Sequence, residues 1–342
     1  MMIKTTLENL MKIRGTSGDE YEVLSAIYDE IKSVNDCKAR FDNAGNLIVE
    51  KTGKKEPEKK LLFIAGTDEA GFIITDIDEK GFIRFECIGE TDSRAVIGKR
   101  VLVGENAVPG LIGSKAIHLV PKDKAEKAVE IEDLYIDIGA DTKEKAEKFV
   151  SLGDRAVFDS DFQEFGNGFI MGRAVDSRVC AATLVELIRE DAEYSYTAAF
   201  TARSKIGGAG SAIAAFSAAP DIAVVLSPIA AADFARSSEK TLCEMGKGAV
   251  LSFRDKGTAY DMELFKVIET IAKEKGTGFQ ICRGVGGENE CAEVHKAGIG
   301  IRTASISVPV RYPNSPNPAV KLSDGDSVLG LIAVLKKELC ER

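Results

Sequence analysis

The most constraining feature of the sequence is a run of alternating segments from residue 168 to the C terminus. Short apolar stretches ("FIMGRAV", "YTAAFTA", "DIAVVLS", "GKGAVLSF", "GFQICR", "IRTASISVPV") take turns with helix-length ones ("SRVCAATLVELIRE", "GSAIAAFSA", "DMELFKVIETIAKEKG", "ENECAEVHKAG", "SVLGLIAVLKKEL"). Strands that are apolar on both faces need cover on both faces, and helices threaded between them supply it. The pattern predicts an α/β fold with a mostly parallel sheet flanked by helices. Upstream, "TTLENLMKIRG" and "TSGDEYEVLSAIYDEIKSV" read as two helices, the second opened by a Ser17–Glu20 capping box. "ARFDNAGNLIVEKT" reads as two strands about a turn at Gly45, and "KKLLFIAG" as a buried strand.

Between about residues 70 and 165 the texture changes to short, glycine-punctuated β segments such as "GFIITDIDEKGFIRFECIGE" and "GKRVLVGENAVPGLIGSKAIHLV", closed by a helix in "TKEKAEKFVSL". This predicts a small β-barrel-like domain inserted into the larger one. The expected division is residues 1–68 and 166–342 for the discontinuous α/β domain and 69–165 for the insert.

A chain of 342 residues with 44% hydrophobic content can bury a sizeable core. Its net charge of −9 disfavours nucleic acid as a partner, because phosphate binding depends on clustered Lys and Arg. No apolar run reaches the roughly 20 residues that span a bilayer, and no basic-then-apolar leader precedes "MMIKTTLENL". A soluble, cytoplasmic protein is expected. The seven cysteines form no C-x-x-C pair and read as reduced.

The stretch "YTAAFTARSKIGGAG" has the outline of a phosphate loop, a strand followed by glycines and a helix. It lacks the Gly-Lys-Ser/Thr ending of a nucleotide-binding loop, and it lacks the third glycine and downstream ribose-binding acid of a dinucleotide fingerprint. No G-x-S-x-G elbow supports a serine hydrolase, and only two histidines, His118 and His295, are present. Acids stand at strand ends in Asp68-Glu69, Asp176 and Asp233, a thin set for a transition metal without imidazole.

Taken in order, "RGTSGDE", "DNAGNLI", "TDEAGFIITDIDEKGFIRF", "GLIGSKAIHLV", "IDIGADTKEKAEKF", "GRAVDSR", "GKGAV" and "SISVPVRYPNSP" resemble the tetrahedral dinuclear metalloaminopeptidases. These are glutamyl-aminopeptidase-like enzymes, some of whose members have been labelled cellulases. The resemblance implies a zinc-peptidase-like fold, a pair of divalent metals such as zinc or cobalt, and a homo-oligomer. It also implies a ligand set, and here the chain departs from it. Where the family has Ala-His-Met-Asp-Glu this chain has Ala65-Gly66-Thr67-Asp68-Glu69, so the ligand histidine is Gly66 while the orienting aspartate remains as Asp68. The bridging aspartate remains as Asp176. Ser204 stands at the general-base glutamate and Lys205 at a ligand glutamate, with Arg203 beside them. Ser227 stands at a ligand aspartate and Asn314 at the second ligand histidine, and the Gly-Thr-Asp-Ala segment is altered to Gly287-Glu288-Asn289-Glu290.

A dinuclear site needs about four or five anionic or imidazole donors, glycine offers none, and lysine repels a cation. The expectation is therefore a family member with no intact catalytic set and no metal cofactor, acting as a peptide- or anion-binding protein or oligomer partner. Lys205 is expected to pair with Asp176 or Asp68, with Asn314 and Ser227 adding neutral hydrogen bonds, and the cleft is expected to turn neutral or positive. The alternative is an active aminopeptidase or hydrolase with an altered site, such as Ser204 with Lys205.

Overall fold

The computed structural model describes residues 3–120, 127–234 and 242–341. Its centre is the strand Leu61–Gly66, buried along its whole length. Leu61, Phe63 and Ala65 join the core under one set of helices, whereas Leu62 and Ile64 join a second core on the opposite face. This two-sided burial is what an apolar-throughout strand encodes.

Tyr196–Thr201 and Ile222–Ala230 pair parallel on either side of this strand, and Arg302–Arg311 pairs parallel to Ile222–Ala230. Parallel pairing dominates only these four central strands. The rest of the eleven-stranded sheet is antiparallel at its margins apart from the pair Ala249–Leu251 and Phe279–Ile281, so the sheet is mixed. One face carries the helices Lys4–Met11, Tyr21–Ile31, Val175–Arg189, Met262–Lys275 and Leu322–Glu341; Ala209–Ala218 and the short Cys291–Val294 cover the other. Every residue of Val175–Arg189 except the last is buried, including the charged Asp176, Arg178 and Glu186 among its small and apolar ones.

Six strands between Gly71 and Phe158 close into a separate barrel, in the order Gly71–Ile77, Ile83–Ile88, Leu134–Asp137, Val108–Ser114, Arg100–Val103, Arg155–Phe158. Its core is its own: Phe72 meets Phe85 and Phe158 edge-to-face at ring distances of 4.8 and 5.3 Å. The helix expected in "TKEKAEKFVSL" is a single turn, Lys143–Ala146, that packs Ala146 and then Val150 onto this core. The chain rejoins the main sheet earlier than the expected boundary after 165: Gln163–Phe165 pairs antiparallel with Phe169–Met171. That strand is exposed along its length and so carries no burial signal in the sequence.

The Ser17–Glu20 capping box does not form. The helix begins at Tyr21 without a side-chain cap, and both residues are drawn elsewhere, as described below. All seven cysteines are free. Among the described residues no helix is long and apolar enough to cross a membrane.

Candidate functional site

The parallel register brings the C-terminal ends of the central strands to one edge: Gly66 lies opposite Thr201, and Ser227 opposite Ser307. Ligands of open α/β sheets bind at this edge, because loops rather than helices leave it. Asp68, fully buried just past the strand end, organises the edge. It accepts hydrogen bonds from the hydroxyls of Ser17 and Ser204 and from the backbone N–H groups of Ser204 (3.0 Å) and Lys205 (2.8 Å). Glu20 Oε1 receives the N–H groups of Gly18 (2.8 Å) and Arg203 (2.7 Å), which fixes Arg203 in the left-handed region at φ +60° with its side chain exposed. The loop after Thr201 is thus folded back by two buried carboxylates, and Ser204–Ile206 forms a 3-10 turn rather than an extension of the strand.

This turn sends Lys205 toward Asp176, in the first turn of the helix Val175–Arg189. Lys205 Nζ lies 3.4 Å from Asp176 Oδ2 and donates to Asn314 Oδ1 at 2.7 Å. The two ionised side chains are only 12% and 4% exposed. Asp176 also accepts the N–H of Asn314 at 3.1 Å and its neighbour Ser177's at 3.0 Å. Burial alone pushes the Asp176 carboxyl up, but Lys205 and the two N–H donors outweigh it and hold the pKa below the ordinary aspartate value. Ala174, Tyr312 and Asn314, all on the two segments that meet here, adopt left-handed backbone at φ +63°, +56° and +56°. Such strain in non-glycine residues concentrates at sites the surrounding fold over-determines.

Ser227 does not join Lys205. Its hydroxyl lies in a buried trio with Ser305 (3.3 Å) and Ser307 (3.0 Å), because neighbouring parallel strands bring these side chains together. Asn289 donates to Ser305 at 3.3 Å and to Tyr260 at 3.1 Å, extending the network.

In front of these groups opens a cavity of about 490 Å³, lined by Ser204, Lys205 and Asn314 together with the loop 286–290, Ser252, Ser307 and residues 228–230. Its charge differs from expectation. Glu90, Asp255, Glu288, Glu290 and Glu293 face it against Lys205 and Lys256, so the lining is acidic rather than neutral or positive. The acids come from the barrel and from segments far along the chain, which no inspection of the strand ends could bring in. Of these, Glu90, Asp255 and Glu293 carry no signal in the sequence, while Glu290, which closes the altered segment 287–290, has its Oε1 accepting from Thr201 (2.7 Å) and Ser211 (2.6 Å). Burial, aided by the nearby Asp68 charge, raises its pKa against the pull of those two hydroxyls.

The family model for M42 glutamyl aminopeptidases matches residues 45–331. The chain belongs to the M42 family. An aminopeptidase-named relative from Acetivibrio thermocellus is 33% identical over 330 residues, 95% of this chain and 96% of the relative. The lysyl aminopeptidase of Pyrococcus furiosus is 24% identical over 97% of this chain and 96% of its own length. Among solved structures, the TET aminopeptidase of a marine-sediment Thaumarchaeota archaeon superposes with a TM-score of 0.93 at 30% identity, covering 98% of this chain and 96% of that one. The Pyrococcus horikoshii TET1 peptidase, which can assemble into a tetrahedron or a large octahedral shell, gives 0.85 at 30% identity over 98% and 99%.

Within this M42 chain the donor set does not fit a pair of divalent cations. Asp176 already faces an ammonium, Ser227 and Asn314 are neutral, and Gly66 offers no donor. Among the described residues no group of three or more His, Cys, Asp or Glu side chains is arranged to hold a metal. Room is lacking as well. A β-carbon at Gly66 would stand 2.6 Å from Ser204 Oγ and 3.2 Å from Glu290 Oε2, so side chains from two other segments fill that space. His118 and His295 stay away from the cavity, the first on a short 3-10 turn of the insert and the second bonded through Nδ1 to Cys291 O at 2.7 Å.

Proposed function

We propose that this M42-family protein binds peptides in the cavity before Lys205 without cleaving them by a metal route. The observation that carries the reading is the position of Lys205 Nζ between Asp176 and Asn314, where its charge replaces a cation rather than admitting one. Asp68 and Asp176 hold the loops in place, Ser204, Lys205 and Asn314 face the ligand, and Gly66, Arg203 and Ser227 take no direct part. The acidic lining favours a peptide over the small anions that the sequence suggests. A homo-oligomer is part of the proposal, supported by the assembled TET relative. So is a cytoplasmic setting, which suits seven free cysteines.

A hydrolase built on Ser204 and Lys205 finds no support in the geometry, since Ser204 Oγ is bonded to Asp68 and Lys205 Nζ to Asp176 and Asn314. The test is turnover of aminoacyl-nitroanilides with cobalt, zinc or manganese added, beside calorimetric titration with short peptides. Binding without turnover is expected; metal-dependent turnover overturns the proposal, and metal-free turnover abolished in Ser204→Ala revives the altered-site hydrolase.

A further inference from the structure

We propose that the seam between the barrel and the main sheet's domain holds a second ligand site, which takes the carboxylate of a basic amino acid. The cavity there, of about 590 Å³, opens where residues 14–22 face residues 104–105 and 153–157 of the barrel, and it shares no lining residue with the cavity before Lys205. The fold leaves two polar side chains of its wall incomplete. Thr16 is 1% exposed, and its hydroxyl has no hydrogen-bond partner among the described residues. Arg155 donates from Nη1 to Gly153 O at 2.9 Å, but its buried Nε has no acceptor among the described residues, and neither has Nη2, which lies beside Gly18. Burying such groups unpaired is costly, so a ligand that brings acceptor oxygens is favoured.

The unpaired donors select a carboxylate. Nε and Nη2 form one edge of the guanidinium, and its two parallel N–H groups match the two oxygens of a single carboxylate. No carboxylate of the protein occupies that edge. Neither Arg155 nor Arg14 joins an ion pair among the described residues, and Arg14 meets only the carbonyl oxygens of Gly104 (2.7 Å) and Glu105 (2.9 Å). Thr16 is buried and the two arginines half-buried, whereas Asp19, Glu22 and Glu105 on the same wall are exposed. The cavity thus has a cationic inner part and an acidic rim. The rim repels a multiply charged anion such as phosphate, and the arginines repel a simple cation, so a molecule with a carboxylate at one end and a cation at the other suits both. A basic amino acid has this form: its carboxylate reaches Arg155 and Thr16 while its side-chain cation stays at the rim. A cavity of about 590 Å³ has room for it.

The test is calorimetric titration of the full chain with L-arginine, with agmatine (which lacks the carboxylate), L-norleucine (which lacks the side-chain cation) and inorganic phosphate as competitors. L-Arginine is expected to bind, agmatine and L-norleucine to compete at least about tenfold more weakly, and phosphate not to compete. Thr16→Val removes a hydroxyl that bonds to nothing in the protein, so its denaturation midpoint is expected to be no lower than the wild type's while its affinity for L-arginine falls about 5- to 10-fold. Arg155→Lys keeps the charge but loses the two-pronged edge, and is expected to lose about 10- to 100-fold. Agmatine competing as well as L-arginine itself overturns the carboxylate, and L-norleucine doing so overturns the basic side chain. Phosphate that displaces L-arginine overturns the amino-acid ligand in favour of a general anion. Unchanged affinity in Thr16→Val overturns the site, even where Arg155→Lys does not fold, and absence of L-arginine binding to the wild type overturns the whole proposal.

Discussion

Asp176 forms an internal ion pair with Lys205, which on the proposed reading stands in for a cation. Its carboxylate is buried, and removing the ammonium beside it leaves, among the described residues, a charge with two N–H donors. Breaking such a pair from one side costs about 3–5 kcal/mol, whereas neutralising both sides removes most of the penalty. Lys205→Met is therefore expected to destabilise the fold by roughly 3 kcal/mol, and Lys205→Met combined with Asp176→Asn to recover much of it, as read by chemical denaturation in a double-mutant cycle. The pH dependence has a definite sign. Because the folded carboxyl titrates below its unfolded value of about 3.9, its contribution is present above that value and lost as pH falls through the folded pKa. Asp176→Asn should flatten the stability curve below about pH 4. Gly66 gives an independent test of packing: its β-carbon would also meet Ser204 Cβ at 2.7 Å, so Gly66→Ala is expected to cost about 1–3 kcal/mol and to lose most of that cost when paired with Ser204→Gly.

Among the elements, the final helix Leu322–Glu341 carries a second buried acid with the opposite pH behaviour. Asp324 is fully buried in the first turn and accepts the N–H groups of Gly246 (2.7 Å) and Gly248 (2.9 Å), tying a glycine loop to the helix. Burial pushes its pKa up to about 6 against those two donors. The folded state therefore holds the proton more tightly than the unfolded one, and stability declines as pH rises from about 4 to about 6, by about 3 kcal/mol for a shift of this size. Asp324→Asn should reduce that decline in denaturation midpoints taken across the range, without abolishing it, because burial also raises Asp19, Glu20 and Glu290. The elements differ in how well the sequence announces them. Leu61–Gly66 and Ile222–Ala230 are legible because burial along nearly their whole length leaves them no charged residue to alternate with. Gln163–Phe165 is not, since an exposed edge strand has no pattern to enforce. Ser17 and Glu20 match a local capping rule, yet tertiary contacts to Asp68 and Arg203 take both side chains away from it. The site divides in the same way. Lys205 is legible because the family resemblance gives its position a role, whereas the resemblance marks Glu290 only as part of an altered segment, and its bond to Thr201 across 89 residues of sequence appears only in the folded sheet.

At the scale of the whole molecule, the scaffold is the family's, and the proposal is that its chemistry has changed. A TM-score of 0.93 to a TET aminopeptidase means that the two chains share their scaffold. On the proposed reading what differs is the set of side chains at the strand ends, and these are interlocked: Lys205 neutralises Asp176, Ser204 bonds Asp68, and Ser204 with Glu290 fills the space over Gly66. Interlocked substitutions couple, so reverting them singly should fail for different reasons. Gly66→His meets Ser204 and Glu290; Lys205→Glu places a second carboxylate beside Asp176 with no cation to separate them. Joint reversion removes both obstacles. The chain carrying Gly66→His, Ser204→Glu, Lys205→Glu, Ser227→Asp and Asn314→His, with Glu290→Ala to clear the wall, is expected to take up zinc on dialysis, whereas each single variant and the wild type take up no stoichiometric metal by elemental analysis. Zinc retained by the wild type would mean that Lys205 yields to a cation after all. A joint variant that folds with an unchanged circular dichroism spectrum yet binds no zinc would place the loss in the loops, with the left-handed turns at Arg203, Tyr312 and Asn314 the first backbone positions to examine.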